Sequence, residues 1–148
     1  DYAERLGLDP AYRGEPPAGE IDGRTDPRQS MAALQAFHND IAFKLIDNGI
    51  VPDQESVYIG HHFGRVPLVE IVKANDNDKL KTTYVNSFNE RSRGLEQWKA
   101  TTGANKWVKE DMTIGEFKAG ITRMLDEGNT LRLQWEAEND TVFNPNVL

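Results

Sequence analysis

The 148-residue sequence contains no cysteine, which excludes a disulfide framework and a thiolate metal site. Basic residues are also fewer than acidic ones: the sequence has 17 Lys and Arg and 24 Asp and Glu, which gives a net charge of −7. A protein that neutralises DNA phosphates needs a face rich in Lys and Arg, so nucleic acid is not an expected partner. No apolar run approaches the ~20 residues of a membrane span, so no membrane-spanning segment is predicted.

The start of the chain predicts that residues of the same polypeptide precede it. The opening letters DYAER are neither a basic signal-peptide start nor an initiator Met. Tyr2, Leu6 and Leu8 are spaced like the last turns of a helix. The stretch 13–26, which is rich in Gly and Pro and has no apolar period, is predicted to be a loop.

Over most of the remaining chain, apolar residues recur at three- to four-residue spacing, which predicts a mostly α domain. Asp26-Pro27 is a strong helix start and Gly49 a stop, so a long helix is predicted over 27–48. Further helices are predicted from Pro52-Asp53 to Gly64, from Pro67 onward, and over about 79–88 and 93–101.

The last predicted helix begins with a capping box, in which Thr113 and Glu116 satisfy each other's backbone donors. It is predicted over 113–127, with its end at Gly128. The alternating residues 131–135 leave a short strand open as an alternative for the tail. Neither a P-loop nor a dinucleotide-binding glycine motif is present, so no cofactor is predicted.

The most distinctive motif is YIGHHFG at 58–64, which holds two of the three histidines. Adjacent histidines on a helix point about 100° apart, unlike the i, i+4 pair of an HExxH zinc site, so no metal is predicted. The alternatives are a histidine pair packed at a helix end or buried in the core, and a ligand-binding surface. Gly60 and Gly64 favour either close backbone packing or the approach of a ligand.

No carboxylate is singled out by its spacing as a catalytic acid. The available residues are Glu15, Glu20, Asp22, Asp26, Glu55, Glu70, Glu90 and Glu96. The three tryptophans offer faces for stacking on sugar rings, although such residues more often belong to a core; they are Trp98, Trp107 and Trp135. A mild basic excess is interpreted as a solvated face; it comprises Arg91, Arg93, Lys99, Lys106 and Lys109.

The order of these features resembles the second half of a lytic transglycosylase domain, a lysozyme-like α fold of bacterial cell-wall enzymes and phage virion proteins. In that family a helix opening with Asp-Pro is followed by a Gly- and Pro-containing loop and by a helix with a motif such as YLAHFLG. Residues 26–75 match this order, and YIGHHFG is similar to the motif. The resemblance covers residues 1–75, and residues 76–148 are expected to be a helical continuation of the same domain or an appended helical region.

The resemblance implies cleavage of the β-1,4 bond between N-acetylmuramic acid and N-acetylglucosamine in peptidoglycan. One Glu of the family protonates the leaving oxygen and then acts as a base. That Glu lies well ahead of the Asp-Pro helix, so here it is expected before Asp1, on an upstream segment or a companion chain. By position in the motif, His61 is expected to line the glycan groove, with Tyr58 and His62 as lesser partners.

The expected location is therefore a virion or the bacterial cell envelope, including the periplasm. Glycan strands and other virion proteins are the expected partners. A second hypothesis is a non-catalytic structural component of a virion or envelope that keeps the lysozyme-like helices. A third is an unrelated helical adaptor, if the match over 26–75 is accidental.

Overall fold

The computed structural model describes residues 27–138. Within them lie six helices: α1 (Pro27–Asp47), α2 (Gln54–Phe63), α3 (Leu68–Lys73), α4 (Leu80–Asn86), α5 (Arg91–Ala104) and α6 (Ile114–Glu138). Helices account for 74% of these residues and none of them lies in a strand, so the predicted mostly α class is confirmed. The predicted turns near Tyr2, the loop 13–26 and the Asp26 cap lie outside the described residues.

Two capping boxes set the starts of α2 and α6. The Asp53 carboxylate accepts a hydrogen bond from the Ser56 amide at 2.8 Å, and the Ser56 hydroxyl accepts one from the Asp53 amide at 2.9 Å. In the same way, the Glu116 carboxylate accepts from the Thr113 amide at 2.8 Å and the Thr113 hydroxyl from the Glu116 amide at 3.2 Å. Each box satisfies backbone donors that a helix start leaves unpaired, and the one predicted at Thr113 is confirmed.

The predicted ends of the first two helices are confirmed as well. α1 ends at Asp47, two residues before Gly49, and α2 ends at Phe63, directly before Gly64. Gly49 has φ of 73° and Gly64 has φ of 89°, in a region where a side chain is strained. Local backbone chemistry therefore explains both ends.

The predicted end of the last helix at Gly128 is wrong, and so is the alternative of a strand over 131–135. α6 continues through Gly128 to Glu138. A single glycine costs a helix about 1 kcal/mol, which does not end it when good helix formers follow. Arg132 also donates to Glu136 at 2.7 Å, an i, i+4 ion pair that supports the last turns.

One hydrophobic core joins the helices, with members on both sides of residue 75. Its centre is formed by Ile41 and Leu45 of α1, Ile59 and Phe63 of α2, Leu68 and Ile71 of α3, Leu80 and Tyr84 of α4, Trp98 of α5, and Ile114, Phe117 and Ile121 of α6. The apolar stripe predicted on α1 is narrower than expected, since Met31 is 42% and Ile46 56% exposed. Among residues 27–138, no helix is both long and apolar enough to cross a bilayer.

A short backbone pairing ties the two segments that lead into α4 and α6. Lys79 and Thr113 form an isolated antiparallel bridge. The Leu80 amide donates to the Met112 carbonyl at 3.1 Å, and the Ile114 amide to the Asp78 carbonyl at 2.9 Å. These bonds place the start of α6 against the middle of the chain, so the first half of α6 can enter the core.

The α1–α2 contact is made at a glycine. A Cβ atom on Gly60 would lie 2.6 Å from Cγ2 and 3.0 Å from Cγ1 of Ile41, whose side chain is fully buried. Because Ile41 is β-branched and enclosed, it has little freedom to move aside. Of the two sequence-based explanations for Gly60, the structure supports close helix packing.

We expect Gly60→Ala to destabilise the fold by about 1–3 kcal/mol, because the added methyl group overpacks the α1–α2 contact. Gly128→Ala is the matched control, since a Cβ at Gly128 meets no atom within 4 Å and lies inside α6. It should stabilise the fold by up to about 1 kcal/mol through helix propensity alone. Chemical denaturation measures both changes. An increase in stability for Gly60→Ala would contradict the described contact.

Candidate functional site

Four ring-bearing side chains come together where α1 meets α2; we call this group, His38, Tyr58, His61 and His62, the ring cluster. The ring centroids of His38 and His61 are 5.1 Å apart, and those of His61 and His62 are 4.8 Å apart. Tyr58 lies over His62 at 4.2 Å with an interplanar angle of 31°. The three residues that the sequence predicted as a binding site are therefore neighbours, and His38 joins them.

A direct hydrogen bond connects the two helices inside the ring cluster. Nε2 of His38 and Nδ1 of His61 are 3.0 Å apart, so one imidazole donates and the other accepts. An imidazole that accepts must be neutral at that nitrogen, and the bond is therefore lost when both rings are protonated. This contact makes the cluster sensitive to protonation.

The ring cluster lies at the surface. His61 and His62 are exposed, while His38 and Tyr58 are half-buried. The alternative of a histidine pair enclosed in the core is thus not what the structure shows. The Tyr58 hydroxyl points toward α6, where it lies 3.9 Å from the Met124 sulfur.

A pocket of about 420 Å³ opens at the ring cluster, between α1, α2 and α6. Besides the four rings, it is lined by Leu34, Gln54, Val57 and Leu125. As far as residues 27–138 form it, its wall is therefore largely apolar, with a few hydrogen-bonding groups and no carboxylate, lysine or arginine. Small-molecule sites of proteins have this composition.

The pocket environment changes the ionisation of three cluster members. Partial burial of the imidazoles, and secondly the charge of His61, lower the pKa values of His38 and His62 from the ordinary 6.5. Burial raises the pKa of Tyr58 from 10.0, so its hydroxyl stays protonated and can donate at neutral pH. At pH 7 the cluster is accordingly an uncharged surface at these three positions.

The carboxylates named from the sequence do not gather at this pocket. Glu55, on α2, accepts a hydrogen bond from the Thr122 hydroxyl at 3.2 Å and is not among the lining residues. Glu70 on α3 and Glu96 on α5 are exposed, and so is Glu90, the residue directly before α5. The other four candidates, Glu15, Glu20, Asp22 and Asp26, lie outside the described residues.

Two of the tryptophans belong to the core. Trp98 is 5% exposed, and Trp107 stacks on Phe117 with centroids 5.5 Å apart and planes 3° from parallel. Trp135, on the last turns of α6, is 54% exposed. For Trp98 and Trp107, the structure therefore supports the packing alternative over sugar stacking.

No group of three or more His, Asp or Glu residues among 27–138 is arranged to hold a metal ion. The His38–His61 contact is a bond between two ring nitrogens, and no carboxylate lines the pocket beside them.

Sequence reasoning missed His38 as a member of the site. A signal was present, because His38 lies one turn before Ile41 and His61 directly follows Gly60. Once Gly60 is known to contact Ile41, the adjoining positions of the two helices face each other. That pairing of two particular turns is a tertiary fact, which the periodicity of each helix alone does not contain.

We expect the free energy of unfolding to decrease as the pH falls through about 6.5, the ordinary histidine pKa, toward the lowered pKa values of the folded chain. Because the folded pKa values of His38 and His62 are lowered, the unfolded chain binds their protons first as the pH falls through about 6.5. The stability that the neutral His38 and His62 contribute is fully present above their unfolded-state pKa of about 6.5. It is lost progressively as the pH falls from there toward their lowered pKa values in the folded chain. Urea unfolding at a series of pH values measures this dependence.

The control for that experiment is the pair of variants His38→Gln and Gln97→Ala. His38→Gln removes one titrating group and should make the decrease shallower. Gln97→Ala alters an exposed residue of α5 and should keep the full decrease. If His38→Gln unfolds with the same pH profile as the unmodified chain, the lowered pKa of His38 is contradicted.

Comparison of the chain with protein families, with curated protein sequences and with solved structures finds no match in any of the three. The resemblance of residues 1–75 to a lytic transglycosylase domain, and the division at residue 75, therefore stay predictions.

Proposed function

We propose that this chain is part of a peptidoglycan lytic transglycosylase and that the ring cluster binds the glycan strand. The proton-transferring Glu is supplied by residues upstream of Asp1, on the same polypeptide or a companion chain. The protein acts in the bacterial envelope or as a component of a virion. The observation that carries the proposal is the pocket at the ring cluster, which brings together the residues that resemble the family motif.

The chemistry of the pocket suits a sugar chain. A pyranose ring has apolar C–H faces and a rim of hydroxyl groups, so it is recognised by flat rings together with hydrogen-bonding groups. Tyr58 and His62 provide adjoining faces, and the imidazole nitrogens and the Tyr58 hydroxyl provide donors and acceptors. In the part of the chain that the structure describes, no Lys, Arg, Asp or Glu lines the pocket, which suits uncharged sugar units.

The same pocket supports a binding role in preference to the proton transfer itself. Glycosidic cleavage of this type needs a carboxylic acid that protonates the leaving oxygen. The conjugate carboxylate then takes a proton from the muramic 6-hydroxyl as that oxygen closes the anhydro ring. Because no carboxylate lines the pocket among the described residues, His61 is proposed to hydrogen-bond a sugar hydroxyl or the incoming carboxylate.

We expect His61→Ala to weaken the binding of N-acetylglucosamine oligomers by about fivefold or more. The loss of one hydrogen bond is worth about 1 kcal/mol, which corresponds to this change in Kd. Because His61 is exposed, the melting temperature should change little. Titration calorimetry and thermal unfolding of the same preparations give both quantities.

Gln97→Ala serves again as the control, since it removes an exposed side chain of α5 and should leave the affinity unchanged. A sharp fall in melting temperature for His61→Ala with unchanged glycan affinity would show a structural role for this histidine. The proposed binding site would then be wrong at its most specific residue.

The 148-residue chain alone is expected to release little or no anhydromuropeptide from purified sacculi, because no carboxylic acid among residues 27–138 lines the glycan pocket. Supplying the upstream segment that carries the Glu should restore release. Chromatography of the soluble products measures it. Robust release by the chain alone would overturn the assignment of the acid, and no release with the upstream segment present would favour the non-catalytic structural hypothesis.

A further inference from the structure

A second cleft, of about 480 Å³, lies between α4, α5 and the segment that follows α5, and it shares no lining residue with the ring-cluster pocket. Its apolar floor is formed by Trp98 and Val108, which are 5% and 7% exposed, together with the half-buried Leu95. The floor belongs to the hydrophobic core, so the cleft is built on a rigid part of the fold.

Three lysines and one carboxylate border this cleft: Lys81 from α4, Lys99 from α5, and Lys106 and Glu110 from the following segment. Lys81 is ion-paired with Glu110. The ammonium groups of Lys99 and Lys106 have no hydrogen-bond or ion-pair partner among residues 27–138. Two ammonium groups thus remain uncompensated beside one concavity, in a chain whose net charge is −7.

Such an arrangement attracts anions. Like charges near a poorly polarisable wall repel each other, and an anion between them relieves the repulsion. Lys acts as a point charge toward phosphate and carboxylate groups. The apolar floor adds a surface for the carbon skeleton of a ligand, which a purely solvated lysine face does not provide.

A glycine is among the residues that line the cleft. Gly103 lines the cleft near the end of α5, and a Cβ at this position would meet no atom within 4 Å. Packing therefore does not require glycine here, in contrast to Gly94 of the same helix, where a Cβ would lie 2.6 Å from the Val85 carbonyl oxygen. A larger side chain at Gly103 would occupy the opening without displacing the backbone.

We propose that this cleft binds a small organic anion. Its phosphate or carboxylate group is held by Lys99 and Lys106, and its apolar or aromatic body lies on Leu95, Trp98 and Val108. Lys99 and Lys106 are both exposed, in agreement with the sequence-based interpretation of a solvated face, and the proposal adds a ligand to that face. The site is separate from the ring cluster and does not depend on the glycan-binding proposal.

The test is an NMR titration of the ¹⁵N-labelled 148-residue chain with four probes: phenyl phosphate, benzoate, inorganic phosphate and benzyl alcohol. We expect saturable amide shifts centred on 95–108 with phenyl phosphate, benzoate or both, and the stronger of the two identifies the anionic group. Inorganic phosphate lacks the apolar body and benzyl alcohol lacks the charge, so each should bind at least about tenfold more weakly. Equal binding of either one would overturn the proposed two-part recognition.

Two pairs of variants locate the site. Lys99→Glu should weaken the binding of the tighter-binding probe by at least about tenfold. Lys73→Glu makes the same charge change on α3 and should leave that binding unchanged. Gly103→Leu should block binding, whereas Gly103→Ala should retain it, and far-UV circular dichroism checks that all four remain folded. Equal losses for Lys99→Glu and Lys73→Glu, or undiminished binding by Gly103→Leu, would overturn the proposal, as would the absence of saturable shifts.

Discussion

The close approach of α1 and α2 at Gly60 is the contact on which the described site depends. With no side chain at Gly60, the Ile41 side chain can lie directly on the α2 backbone. The turns on either side are then brought within hydrogen-bonding distance, and His38 meets His61 at 3.0 Å. Gly60 is thus needed because a side chain would not fit, and its backbone conformation is one that any residue can adopt. The ring cluster forms as a consequence of this close helix packing.

The hydrophobic core connects the α1–α2 contact to the other described helices. Phe63, at the end of α2, packs edge-on against Phe117 of α6 with centroids 4.7 Å apart, and Phe117 is stacked on Trp107. The Lys79–Thr113 bridge holds the start of α6 beside the start of α4. These contacts place the first half of α6 as a wall of the ring-cluster pocket, through Leu125, while Leu131 and Leu133 farther along are exposed.

The ring-cluster pocket and the cleft at α5 differ in the charge of their lining residues, and this difference suggests different ligands. The ring-cluster pocket is lined by imidazoles, a phenol, an amide and apolar groups, and it offers hydrogen bonds without a strong field. The cleft at α5 is bordered by three lysines and Glu110, which pairs with Lys81, and it has an apolar floor. Uncharged sugar units in the first and an organic anion in the second are the chemistries we propose for them.

Local sequence signals determined most of the secondary structure. The Thr113–Glu116 box, the glycines that end α1 and α2, and the apolar spacing predicted four of the six described helices with both bounds within about three residues, and α3 and α6 by their starts. These features act within one or two turns, so the sequence contains them directly. The end of α6 was predicted wrongly because Gly128 was treated as a stop. The free-energy cost of one glycine in a helix is smaller than the combined helix propensity of the residues that follow it.

The candidate site was only partly contained in the sequence. The motif at 58–64 pointed to Tyr58, His61 and His62, but their exposure and the participation of His38 depend on which turns of α1 and α2 face each other. Likewise, Lys81 and Lys99 border one cleft because α4 and α5 pack together, not because of their spacing. Helix starts and ends are set by near neighbours in the chain, whereas pockets are set by contacts between distant residues, and only tertiary packing decides those.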